Sequence, residues 1–248
     1  MNQDYTKDYS VKLSEADNRG KLKIQSFFDY MLDAAASHST DVGMSAIDLL
    51  GQGKTWVVSR YNLKIEKYPL WNQKFSIKTW RGGEKGKYAI REFLFYNLDK
   101  EVIARASSAW LLLDLNTGDT LNPRDVFKDY PWKEERAIDD SFEALPLVVK
   151  TCFSKNFQIR LQDIDMNSHV NNSVYPSLAY ETGFDFYESK KQLKSIEVFF
   201  KNAALYGNAI QSEIEEDRND FLIHKLGDKE TGGIHALLIS TWFIDNKN

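Results

Sequence analysis

Asp165-Met166-Asn167-Ser168-His169-Val170-Asn171-Asn172 brings a carboxylate, an amide and an imidazole into one short stretch. It stands directly before a run of helical spacing, Val174, Tyr175, Leu178, Ala179, Thr182 and Phe186. A helix start offers unpaired backbone N–H groups and partial positive charge, which suit an oxyanion. His169 can act as base or proton shuttle near neutral pH. Asp165 beside it can orient or activate a water, and Asn167 can hold a water or a carbonyl without titrating. Such a set could add water to a carbonyl carbon. Which of Asp165 and His169 removes the proton is left open by the sequence.

Each residue also has a purely structural reading. Asp165 could close an Asx turn or cap the helix, and Asn167 is a common turn residue. His169 could be a hydrogen-bonded structural histidine. Asn171 and Asn172 read as cap and turn residues, with Pro176 tolerated in the first helical turn. Glu181 could support the site or bond a neighbouring backbone group. His38, His224 and His235 lack partners for metal ligation, so no metal or organic cofactor is expected. Cys152 is the single cysteine, which excludes an intrachain disulfide and points to a reducing, intracellular setting.

The elements that must position these residues are legible from periodicity. Alternation predicts strands over 58–65, 74–80, 88–96 and 102–113, with turns at Pro69, at Gly82-Gly83 with Gly86, and at Asp99-Lys100. Ile24, Phe27, Phe28, Met31, Leu32 and Ala35 predict an amphipathic helix over 24–37, and a short helix follows at 45–50, ended by Gly51. The second half repeats the order: a strand at 157–160, the helix opened by Asn171 or Asn172, then strands at 195–201, 209–215, 221–226 and 234–244. Residues repeat as well. EADNRGKLKIQSFFDYMLDAA (15–35) lies ungapped over DIDMNSHVNNSVYPSLAYETG (163–183), pairing Asp17 with Asp165, Phe27 with Tyr175 and Asp33 with Glu181. SSAWLLLD (107–114) matches ISTWFID (239–245), pairing Trp110 with Trp242 and Asp114 with Asp245. Between the halves, an acidic stretch with Pro123 and Pro131 reads as a linker. Two α+β units are therefore expected at 1–120 and 146–248, joined by 121–145.

DxNxHVNNxxYxxxxxE, with Tyr175 and Glu181, together with ARASSAWLLLDLNTGDTLNP (104–123), resembles the acyl-acyl carrier protein (acyl-ACP) thioesterases of plant plastids and many bacteria. The likeness runs over essentially the whole chain. It implies an α+β tandem (double) hotdog fold, each unit a long helix wrapped by a curved antiparallel sheet. It also implies that the second unit carries the catalytic groups, Asp165, Asn167 and His169, while the first shapes the acyl pocket. Arg19 and Lys21 stand where Asn167 and His169 would be, so the first-unit site reads as vestigial. Plant members carry an acidic residue, often followed by Cys, on the strand after the helix. Here EVFFKNAALYGN (197–208) has Lys201, Asn202 and Ala203 in that neighbourhood.

The activity implied is hydrolysis of fatty acyl thioesters on acyl carrier protein to free fatty acids, in fatty acid biosynthesis and lipid metabolism. An acyl-CoA thioesterase and a non-catalytic acyl-thioester binder are the alternatives. Net charge of −4 and a pI near 5.7 give no general reason to expect nucleic acid. Residues 54–91 nonetheless hold ten Lys/Arg against Glu66 and Glu84. This is either a solvated strand face or a docking surface for the acidic carrier through Lys64, Lys78 and Arg81. No apolar run reads as a membrane span or a secretory signal, so a cytoplasmic protein is expected, and a homodimer is compatible with the sequence.

Overall fold

Alternating burial along strands and two long helical stripes organise residues 3–127, 132–218 and 220–244, the part described by the computed structural model. Contacts group the chain into two units, Met1–Phe142 and Glu143–Asn248. The first unit comprises β1 (Asp4–Ser10), α1 (Ile24–Asp41), α2 (Ala46–Leu50), β2 (Lys54–Ile65), β3 (Lys74–Lys85), β4 (Tyr88–Tyr96), β5 (Val102–Asp114), β6 (Thr120–Leu121) and α3 (Pro123–Val126). Its antiparallel sheet runs β1-β3-β4-β5-β2, with β6 on β5. The stripe Ile24, Phe27, Phe28, Met31, Ala34 and Ala35 of α1 is buried, while Leu32 is exposed. Ser45 caps α2 by accepting the Asp48 N–H, and Asp48 returns a bond to the Ser45 N–H.

In the second unit β7 (Phe153–Gln158) precedes α4 (Val174–Phe186), followed by β8 (Lys191–Phe200), β9 (Ala209–Arg218), β10 (Phe221–Asp228) and β11 (Ile234–Ile244). These strands form an antiparallel sheet in the order β8-β11-β10-β9-β7. β1 was not anticipated. Its Tyr5, Lys7 and Tyr9 are half-buried, and Thr6, Asp8 and Ser10 are exposed, so it carries little of the apolar signal of a strand. No helix among the described residues is long and apolar enough to cross a membrane. Pro131 and Asp245 lie outside the described residues.

Of the glycines expected to make the hairpin turn, Gly82-Gly83 with Gly86, only Gly86 lies in it (φ +58°). β3 runs through Gly82 and Gly83 with a bulge between Arg81 and Glu84, and the chain reverses beyond Lys85. The reason is Glu92, which is fully buried. A Cβ on Gly82 would lie 2.6 Å from the Glu92 Cγ. The carboxylate accepts from Arg136 Nε (2.5 Å), Ser107 Oγ (2.8 Å) and the Ala137 N–H (3.0 Å). Burial raises its pKa, and Arg136 and these donors oppose that rise. The bonds, with Trp80 Nε1 to Glu135 O at 2.7 Å, hold the extended stretch 132–142, read above as linker, on the first unit.

The repeat extends through the hydrogen bonds. Trp110 Nε1 donates to Ser108 Oγ and Trp242 Nε1 to Ser240 Oγ, both at 2.8 Å. On the edge strands, Lys7 pairs with Asp33 and Lys155 with Glu181, both at 2.7 Å. Strand register then matches the two interiors position by position, and their polar residues fall at different places: Thr79, Arg91 and Glu92 of the first stand where the second has Ile214, Leu222 and Ile223. Thr182 and Ser212, bonded at 2.8 Å, replace Ala34 and Ile77. His224 replaces Phe93 and His235 replaces Ile103.

His224 is fully buried, with Nε2 bonded to Ser240 Oγ at 2.7 Å and Nδ1 unpartnered. Burial drives its pKa down from 6.5 to about 3. The unfolded chain therefore binds this proton more readily than the folded one. The neutral histidine's contribution is complete above pH ~6.5 and is lost as pH falls toward 3, at about 1.4 kcal/mol per pH unit. Thermal melts from pH 7 to 4 are expected to show a flatter acid limb for His224→Phe, the first unit's residue, than for the wild type. Parallel limbs would show that His224 does not set acid sensitivity.

Candidate functional site

Two hairpins of the same design precede the two long helices. In the second unit the Asp165 N–H donates to His169 O (2.8 Å) and the Ser168 N–H to Asp165 O (3.1 Å). Asp165 Oδ1 accepts from the Asn167 N–H at 2.8 Å and the His169 N–H at 3.4 Å. An isolated antiparallel bridge, Ile164 to Val170, closes the base. In the first unit the Asp17 N–H donates to Lys21 O, and Asp17 Oδ1 accepts from the Arg19 and Lys21 N–H groups, all at 2.8 Å. The bridge there is Ala16 to Leu22. Ser168 takes the left-handed conformation (φ +63°) that Gly20 takes (φ +73°) in the other copy. Without a Cβ, Gly20 does so with little strain, whereas the Ser168 side chain costs about 1 kcal/mol.

The aspartate is thus a turn-former in both units, whatever its chemistry. What differs is what the turn presents. Asp165 is half-buried, and Asn167 and His169 are exposed. Among the described residues, neither the Asn167 amide nor the His169 imidazole has a hydrogen-bond partner. The structure brings all three predicted residues into one turn and leaves two side chains open to a ligand. Arg19 and Lys21 occupy the corresponding places in the first unit.

Other expectations resolve by contact. Asn171 Oδ1 accepts the Ser173 N–H at 3.0 Å, so it forms an Asx turn; the cap position itself is Ser173, whose side chain makes no capping bond. Glu181 belongs to the surface pair with Lys155, which also binds Asp185 at 2.6 Å, and not to a backbone group. Asn202 Nδ2 donates to Ile234 O at 2.8 Å, and Lys201 Nζ lies 3.7 Å from the centre of the Phe199 ring. The docking trio does not present three free cations. Arg81 is 4% exposed, with its guanidinium over the Phe127 and Trp132 rings, and Lys78 is paired with Asp4 at 2.8 Å. Lys64 is exposed on β2.

Sequence reading missed the support beneath the hairpin. The Tyr175 hydroxyl accepts the Ala204 N–H at 2.9 Å, and Ala204 O accepts the Val170 N–H at 2.9 Å. His235, whose Nδ1 lies 3.1 Å from Asn202 O, has its ring centre 6.5 Å from that of Tyr175. Comparing the two halves offered the signal, since Phe27 and Ile103 are apolar at these places. A depression of about 510 Å³ opens on the first unit beside Tyr9, Tyr30, Glu15 and Asp33. Residues of neither hairpin line it.

Residues 2–130 match the acyl-ACP thioesterase N-terminal domain and residues 148–243 the acyl-ACP thioesterase C-terminal domain. A palmitoyl-acyl carrier protein thioesterase of Cuphea hookeriana is 26% identical over 191 residues, covering 69% of this chain and 45% of that protein. An Arabidopsis thaliana oleoyl-acyl carrier protein thioesterase is 22% identical over 240 residues, covering 90% of this chain and 65% of that protein. The chain spans about half the length of several such relatives. Among solved structures, an acyl-ACP thioesterase from Bacteroides thetaiotaomicron superposes with a TM-score of 0.85 at 20% identity, over 97% of this chain and 98% of that one. The 12:0-ACP thioesterase of Umbellularia californica gives 0.85 at 19%, over 98% of both. The fold is the tandem hotdog.

The turn predicts a separation between charge and acceptor. Asp165→Asn keeps an oxygen for the Asn167 N–H and should melt close to the wild type. Asp165→Ala and Asp17→Ala each lose that acceptor and should cost about 1–2 kcal/mol in urea unfolding. Equal stability of Asp165→Ala and wild type would remove the turn-forming role.

Proposed function

Because the chain belongs to the acyl-ACP thioesterase family, we propose that it hydrolyses fatty acyl thioesters borne on acyl carrier protein, using Asp165, Asn167 and His169. The observation that carries this reading is the hairpin. One turn, rigidly closed through Asp165 Oδ1, leaves the Asn167 and His169 side chains unpaired at the approach to α4. The same turn in the first unit bears Arg19 and Lys21, neither of which can take a proton from water near neutral pH. The first unit's share of the work is to shape the acyl pocket.

Hydrolysis needs little more. Asp165 Oδ2, which no turn bond uses, and the Asn167 amide hold a water, and Asp165 or His169 removes its proton as oxygen adds to the thioester carbonyl. The partial positive charge at the start of α4 favours the oxyanion that results. Collapse of that adduct breaks the C–S bond, leaving the fatty acid, and the proton passes to the carrier's thiolate. Free fatty acid release fits a step of fatty acid biosynthesis, and we infer a cytoplasmic setting.

For carrier docking, the exposed cations of the 54–91 stretch are Lys64, Lys67, Lys74, Lys85 and Lys87. Except for Lys85, which donates to Ser141 O, they suit a strongly acidic partner better than Arg81 and Lys78, which are already engaged. A homodimer is compatible with this arrangement.

A screen of acyl-ACP and acyl-CoA substrates of graded chain length tests the activity. Turnover should be greatest on carrier-bound chains, and His169→Ala and Asp165→Asn should lower kcat by about 10²–10⁴-fold. A wild type that binds acyl thioesters and never turns one over would be a binding protein instead. Reversing charge at Lys64 and Lys67 should raise KM for acyl-ACP several-fold and leave acyl-CoA unchanged. Equal changes on both substrates would remove the docking role.

A further inference from the structure

The two copies of the hairpin rest on equivalent loops, one in each unit, and the chain has solved the same packing problem there in two ways. In the second unit Ala204 follows β8, and its peptide is held at both ends: the carbonyl accepts from the Val170 N–H and its own N–H donates to the Tyr175 hydroxyl, both at 2.9 Å. In the first unit the carbonyl bond is repeated, from the Leu22 N–H to Pro69 O at 2.9 Å. The N–H is missing because the residue is proline, and the hydroxyl is missing because the helix residue is Phe27. Ala204 and Tyr175 are buried, 0% and 2% exposed. A buried N–H without an acceptor costs about 1–3 kcal/mol. Phenylalanine opposite alanine would therefore be penalised, and phenylalanine opposite proline is not. Each copy carries a self-consistent pair, and the polar one sits in the copy with Asn167 and His169.

Structural need alone does not account for that polar pair. Phe27 with Pro69 supports the same hairpin, with the same bridge and the same aspartate bonds, and needs no hydroxyl on the helix. The Tyr175 pair lies close to the reacting end. Val170, which the Ala204 carbonyl holds, directly follows His169. Asp165 is near enough for its charge to add to the effect of burial, which pushes the Tyr175 phenol up to about 12. The phenol is thus neutral at working pH and keeps its own O–H free to donate. Beside it, His235 faces the Tyr175 ring in the place of Ile103.

We propose that Tyr175 is a positioning residue for the hydrolysis: its hydroxyl fixes the Ala204 peptide, and through Val170 this sets the orientation of the His169 end of the hairpin. The inference rests on the reading of Asp165, Asn167 and His169 as the catalytic set. Tyr175 touches neither substrate nor water in this account. Its contribution is a hydrogen bond of defined direction, where proline in the other copy supplies only a rigid ring.

Exchanging one copy's pair for the other's provides the test. Tyr175→Phe strands the Ala204 N–H, so it should lower both Tm and kcat. The double variant Tyr175→Phe/Ala204→Pro installs the first unit's pair and should regain most of the lost Tm. If Tyr175 positions the hairpin, kcat of the double variant stays about 10-fold or more below wild type while KM for acyl-ACP stays within about twofold. Recovery of kcat together with Tm would overturn the proposal, since the hydroxyl would then be serving stability alone. Should the double variant fail to fold, Tyr175→Phe assayed well below its Tm still decides: kcat within twofold of wild type overturns the proposal. His169→Ala and Asp165→Asn are measured alongside. Full turnover in those two would fault the catalytic set itself; their loss with Tyr175→Phe unaffected would fault only the role given to Tyr175.

Discussion

An aspartate carboxylate folded back onto its own backbone is the constraint from which the rest follows. Asp17 and Asp165 each collect the N–H groups two and four residues on, and so bend the chain sharply enough for a bridge to close at the base. That bend delivers the chain to the start of a long helix, whose buried side then organises a sheet. Without it, side chains two and four residues beyond the aspartate would have no common direction. The candidate chemistry of the second unit is therefore an elaboration of a structural device, with the second carboxylate oxygen left over for other work.

Around that shared device the two interiors have diverged. The first is apolar at Phe27, Ala34, Ile77, Phe93 and Ile103. The second has Tyr175, Thr182, Ser212, His224 and His235 at the matching places, and most of their polar atoms find one another: Thr182 with Ser212, His224 with Ser240, Tyr175 with Ala204. Two do not, His224 Nδ1 and His235 Nε2. Buried polar groups are individually weak contributors to stability but demanding about direction. The first unit buries its own polar groups at other places, Thr79, Arg91 and Glu92, where the second has Ile214, Leu222 and Ile223.

Much of this was legible in the residues because periodicity and duplication reinforced each other. β4 and β11 were delimited by alternation alone and α4 by its stripe, while α1 starts where expected and runs on to Asp41, beyond the expected 37. β1 escaped because its inner positions are Tyr and Lys and its outer ones polar. Gly82-Gly83 misled because a glycine pair ordinarily signals a turn. Here Gly82 makes room for a buried carboxylate contributed by the next strand, a long-range cause that no local rule contains. The same limit hid Arg81, basic by composition yet covered by two aromatic rings. For the site, residue type and spacing placed Asp165, Asn167 and His169 together. They did not show that Asp165 spends one oxygen on its own turn, nor that Tyr175 reaches a peptide on the far side of β8.

The covalent joining of the two units has a genetic meaning. In an assembly of identical subunits one codon writes every copy of a position, so a change that favours binding at one surface is imposed on catalysis at the other. Here Gly20 and Ser168, Pro69 and Ala204, Lys21 and His169 are separate letters in one reading frame. Each hairpin can drift under its own selection while the aspartate that both require stays in place. The asymmetry between the halves is what that independence leaves behind.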